Sequence, residues 1–166
     1  MSDLRLADRP LVTVFGDHDA LDAALNDELG RRGRNTHTIS TPLGWITSVT
    51  HAVLRLNTET GVQALRELAS RESPPSQIVA VCERSSDDLS SARVADLCRQ
   101  CGEHHDVTLI WHEPFELRIA DAHEVQNAGP IPTPGELAVT IADEVTNQEA
   151  RVPRPAFATQ SFEPPV

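Results

Sequence analysis

Short apolar runs alternate along this chain with stretches whose apolar residues recur every three or four positions. Leu11 to Phe15 is a β-branched, apolar run stopped by Gly16, which predicts a buried strand. From Asp19 to Arg32, Leu21, Ala24, Leu25 and Leu29 fall on one helical face. Arg31, Arg32 and Gly33 supply the basic last turn and the glycine on which helices end. "THTIS" then predicts a short strand, "PLGWITS" a loop, and "VTHAVLRL" from Val49 a third strand. In "NTETGVQALRELASRE" the residues Val62, Leu65 and Leu68 mark a helix, which "PPSQ" breaks. "QIVAVC" predicts a fourth strand, and "ERSSDD" is a polar loop. A helix through "SSARVADLCRQCGEHH" follows, with Val94, Leu97, Cys98 and Cys101 on one side. "VTLIWH" predicts the fifth strand. A last helix in "PGELAVTIADEVTNQ" is opened by Pro134 and buried through Leu137, Ile141 and Val145. Strands alternating with helices predict an α/β domain: a Rossmann-like parallel sheet of about five strands with helices on both faces, over residues 1–150. The tail "VPRPAFATQSFEPPV" is rich in proline and lacks any period, so 151–166 is expected to be an extended or disordered arm.

Composition narrows the classes of function. The 166 residues are 39% apolar and fit one soluble domain. No apolar run approaches the roughly 20 residues that a membrane helix needs, and "MSDLRLADRP" has no signal-peptide character, so a cytoplasmic protein is expected. A net charge of −11, from 25 acids against 14 basic residues, repels a phosphate backbone and argues against nucleic acid as a partner. Three cysteines, an odd number, argue against a disulfide framework.

Several segments, in order, resemble the extended short-chain dehydrogenase/reductase family of the NAD-dependent epimerase/dehydratase type, over residues 11 to 114. "VTVFG" with "LDAALNDELGRRG" is similar to its first strand and helix. "VTHAVLRLNTETGVQALRELA" resembles its central strand and the helix after it. "SQIVAVCERSS" is similar to the strand that carries its catalytic serine, and "SARVADLCRQCGEHHDVTLIWHEP" to its catalytic helix and the next strand. The resemblance implies a dinucleotide fold and a dimer built on the helices of "NTETGVQALRELA" and "SARVADLCRQC", either a homodimer or a heterodimer with an active relative.

The departures from that family bear on activity. A dinucleotide turn uses its glycines for a tight bend, for close approach of the pyrophosphate and for helix–strand packing. The family pattern of three glycines becomes Gly16, Asp19 and Asp22 here, with Asp17 and His18 between. Carboxylates at a helix N-terminus cap its free N–H groups and suit its dipole. They also repel a pyrophosphate, by about 4 kcal/mol for two charges 4 Å apart near a surface. The turn is therefore expected to cap its own helix, with no cofactor bound in the family manner.

The family's Tyr-x-x-x-Lys pair is missing as well, for the chain has no tyrosine. Asp88 and Ala92 fall near the two positions, and Cys82 or Glu83 near the serine. Ser85 and Ser86 follow without a proton relay. No acidic residue follows Ser40 and Thr41 to hold a ribose. The short link from there to "VTHAVLRL" implies that a strand and helix usual in the family are deleted, and the substrate domain is absent.

Other residue groupings carry weaker signals. Cys98, Cys101 and His104 or His105, with Cys82, have the chemistry of a metal site, but a cysteine pair on an amphipathic helix is more simply core. As a redox pair, Cys98 and Cys101 lie late in their helix, away from the N-terminus that activates thiolates. A pocket is conceivable where Trp45, Cys82, Glu83 and His112 approach the carboxyl ends of the strands. The leading expectation is a non-catalytic protein that acts through self-association, partner binding or a regulatory small ligand; the alternatives are a small-molecule enzyme reusing Asp17, His18, Asp19 or His112, or a residual NAD(P)-binding oxidoreductase or epimerase.

Overall fold

The computed structural model describes residues 11–41, 49–70, 76–82, 91–111, 133–150 and 156–161. In chain order the elements are β1 (Leu11–Phe15), α1 (Ala20–Arg31), β2 (Asn35–Ile39), β3 (His51–Arg55), α2 (Glu59–Ser70), β4 (Gln77–Cys82), α3 (Ser91–Gly102), β5 (Asp106–Trp111), α4 (Pro134–Glu149) and β6 (Ala156–Ser161). All strand pairings are parallel, in one sheet of order β2-β1-β3-β4-β5-β6. This is the expected α/β, Rossmann-like arrangement. Its first five strands follow the doubly wound order 2-1-3-4-5. A Rossmann order 3-2-1-4-5-6 also reduces to it when the third strand is removed and the rest renumbered.

The sheet has six strands where the hydrophobic pattern implies five. Ala156–Ser161 pairs with β5 along its whole length, Asp106 beside Ala156 through Trp111 beside Ser161. Residues 156–161 of the tail are thus extended and hydrogen-bonded to the domain. Pro153 and Pro155 precede β6 in the sequence, and no proline falls within it to remove an N–H from its ladder.

Strand alternation divides the core into two layers. On one face Val12, Val14, Val53, Val79, Val81 and Ile110 pack with Leu21, Leu25 and Leu29 of α1 and with Leu137, Ile141 and Val145 of α4. On the other, Leu54, Ile78, Ala80, Val107 and Leu109 pack with Leu65 and Leu68 of α2 and with Val94, Cys98 and Cys101 of α3. Arg32 clamps α1 to α4 through Glu28 at 3.0 Å and Asp143 at 2.8 Å, and Arg34 reaches Glu149 at 2.9 Å. The end of α1 is a Schellman turn: Gly33 at φ 80 donates to Gly30 and Arg34 donates to Leu29. No helix among the described residues is long and apolar enough to cross a membrane.

Candidate functional site

In an open α/β sheet, ligands bind at the carboxyl ends of the strands where the winding reverses. Here that point lies between β1 and β3, because the chain runs from β1 outward to β2 and returns to β3 on the other side. The pairing of Phe15 with Leu54 sets Gly16 beside Arg55, the last residue of β3. A Cβ at position 16 would sit 2.7 Å from the Arg55 Cδ, so glycine is needed there to admit the arginine side chain. Gly16 also extends the β1–β2 ladder by donating its N–H to the Ile39 carbonyl at 3.0 Å.

Arg55 closes the crevice. Its side chain is 3% exposed, and its two terminal nitrogens donate to the two carboxylate oxygens of Asp19 at 2.7 and 2.8 Å. A further bond reaches the Asp17 carbonyl at 3.1 Å. Asp19 is the N-cap of α1, in extended backbone, and its Oδ1 accepts the Asp22 N–H at 3.0 Å. The bidentate bond from Arg55 holds the Asp19 carboxyl below its usual range, against the opposing effect of partial burial. A carboxylate with a matched cation therefore already occupies the N-terminus of α1 and takes the Asp22 N–H, the end of the helix that would otherwise favour an anion.

The other two carboxylates of the turn have separate surroundings. Asp22 is buried and accepts from Thr38 of β2 at 2.6 Å and from Asn26 at 3.2 Å. It thereby ties α1 to the edge strand. Largely exposed His18 lies with Nδ1 3.4 Å from the buried Asp22 carboxylate. Asp17 contributes its backbone carbonyl to Arg55, and its side chain is exposed.

The start of α2 is locked onto the same point. Thr58 donates to the Arg55 carbonyl at 2.7 Å and accepts the Gly61 N–H at 3.1 Å, while Thr60 donates to the Ser40 carbonyl at 3.0 Å. A Cβ on Gly61 would lie 2.0 Å from the Arg55 carbonyl oxygen, so only glycine lets α2 approach this closely.

Comparison with protein families, with curated proteins and with solved structures finds no match for this chain.

Of the pocket expected from Trp45, Cys82, Glu83 and His112, only Cys82 lies within the described residues. It ends β4, buried in the α2/α3 layer. Ser85, Ser86 and Asp88 also lie outside them. Ala92 is the second residue of α3. Cys98 and Cys101 are core residues of α3. Burial pushes both thiols up, Cys101 to about 12, which leaves them protonated and unsuited to thiolate or redox chemistry. The described residues contain no group of three or more His, Cys, Asp or Glu arranged to hold a metal.

Residue-by-residue reading missed Arg55. Its one signal was an arginine at the carboxyl end of an otherwise apolar run, "AVLRL", where a cation faces the turn after β1.

Proposed function

We propose that this chain is a short-chain-dehydrogenase-like protein without nicotinamide chemistry, which acts by binding a partner chain or a regulatory small ligand. The observation that carries the reading is the Arg55–Asp19 ion pair at the β1/β3 switch point. A dinucleotide would have to displace an internal carboxylate that is doubly bonded to a buried guanidinium and caps α1. The sequence agrees, because the chain contains neither tyrosine nor lysine and so cannot supply the family's proton relay from any position. For self-association, the described outward positions of α2 and α3 include Arg66, Arg93, Asp96, Arg99 and Gln100. A polar face of this kind favours a ligand or a different chain over a tight homodimer through these helices.

The test is a thermal-shift titration with NAD(H) and NADP(H). A ligand at 100 times its dissociation constant adds about 2.7 kcal/mol to native stability, so the expected absence of a shift at millimolar cofactor is a sensitive result. A saturable shift would overturn the reading. Light scattering at micromolar protein decides the self-association branch, which a monomer eliminates.

A further inference from the structure

At the amino edge of the sheet, where its strands begin and opposite the switch point, His105 lies between α3 and β5 with no solvent exposure. Its Nδ1 accepts the N–H of Ser76 at 3.0 Å, which requires an unprotonated Nδ1 and places the ring proton on Nε2. Nε2 has no hydrogen-bond partner among the described residues. Ser76 is a node: its hydroxyl donates to the Val49 carbonyl before β3, and its own carbonyl accepts the N–H of Asp106, the first residue of β5. The next residue, Gln77, donates its N–H to Thr50 at 2.8 Å. One imidazole nitrogen therefore completes the junction at which β3, β4 and β5 begin.

We propose that the His105–Ser76 bond is an acid-sensitive latch, and that protonating His105 opens the amino edge of the sheet while the carboxyl edge stays closed. A proton on Nδ1 turns the acceptor into a donor facing the Ser76 N–H, so that bond is lost and a cation is left buried. Burial already holds the ring below its ordinary range, with His104 adding like-charge repulsion and the Leu68 carbonyl of α2 acting the other way. That carbonyl does not meet hydrogen-bond geometry with Nε2. The remaining ionisable neighbours are Cys101 of α3, held as a neutral thiol, Glu103 in the exposed turn, and Asp106, which strand alternation directs to the α4 face. β4 contributes Ser76 and Gln77, neither of which titrates. The linkage sign follows: the unfolded chain binds the proton more readily, so stability is full above about pH 6.5 and declines as pH falls below it.

The test is amide hydrogen exchange on the full chain between about pH 7 and 5, with protection factors for Ser76, Gln77, Asp106 and Gly16, in the wild type and in His105→Asn. Asparagine can still accept from Ser76 and does not titrate. The wild type is expected to lose protection at the first three amides by up to tenfold per pH unit, with Gly16 protected and the variant insensitive. Equal loss at Gly16, or the same loss in the variant, overturns the latch. If His105→Asn does not fold, proton NMR titration of the wild-type rings decides. Titration of His105 near pH 6.5 overturns the proposal, and titration well below it supports the proposal.

Discussion

At position 55 a strand that is otherwise neutral ends in an arginine, and the register of β1 against β3 turns that charge toward the first loop. The partner, Asp19, is a cap as well as a counter-ion, and the two roles can be separated. Asp19→Asn keeps a side chain that caps about as well as aspartate and removes the charge. The expected loss by urea unfolding is about 1–3 kcal/mol, short of the roughly 3–5 for breaking a fully buried pair, because 45% of the Asp19 side chain remains in solvent. Asp27→Asn, which removes an exposed partner of Arg31, should change stability by no more than about 0.5 kcal/mol. Equal effects of the two substitutions would show that the Arg55 pair does not hold the switch point closed.

Among the elements, β6 is the one whose role the pattern of the chain understated. It covers the outer edge of β5, which would otherwise present a row of unpaired backbone groups. Ending the chain after Ala150 removes that ladder. At about 1 kcal/mol net for each lost bond, the shortened chain should be less stable by a few kcal/mol and should self-associate in light scattering. An unchanged urea midpoint and a monodisperse truncated chain would count against a structural role for β6. The helices were more legible, since each carries its apolar residues at helical spacing, and two also had legible starts, the carboxylates before α1 and Pro134 of α4.

For the whole molecule, acid should act in two stages at opposite edges of one sheet. His105, held low by burial, withdraws its contribution as pH falls below about 6.5. Asp19, held low chiefly by Arg55, contributes above the ordinary carboxylate value of 3.8 and loses that contribution as pH drops through its depressed value. Relief of the net charge of −11 runs the other way, since protonating carboxylates reduces self-repulsion. The difference between wild type and Asp19→Asn removes that common background. It should be constant from neutral pH to about pH 5 and shrink below about 4. A difference that does not change with pH would mean that Asp19 carries no charge-dependent stabilisation.

What the sequence determined by itself was local: β1 at Leu11–Phe15 and β4 at Gln77–Cys82, the amphipathic faces of α1 to α4, and the lack of tyrosine and lysine. Each depends only on residue type and on spacing within a few positions, which periodicity and composition report directly. The carboxylates of the first turn were equally visible, and the capping role expected of them falls to Asp19, while Asp22 ties α1 to β2. The tertiary structure decided which distant groups meet. Asp19 and Arg55 are 36 positions apart, and Ser76 and His105 are 29 apart. Strand order, set by the crossover from β2 to β3, brings the first pair together, and pairing of β4 with β5 brings the second. β6 belongs to the same category, because a short run between prolines becomes a strand only when an open sheet edge lies beside it. Contacts made by such long closures depend on topology and register, which no local pattern encodes.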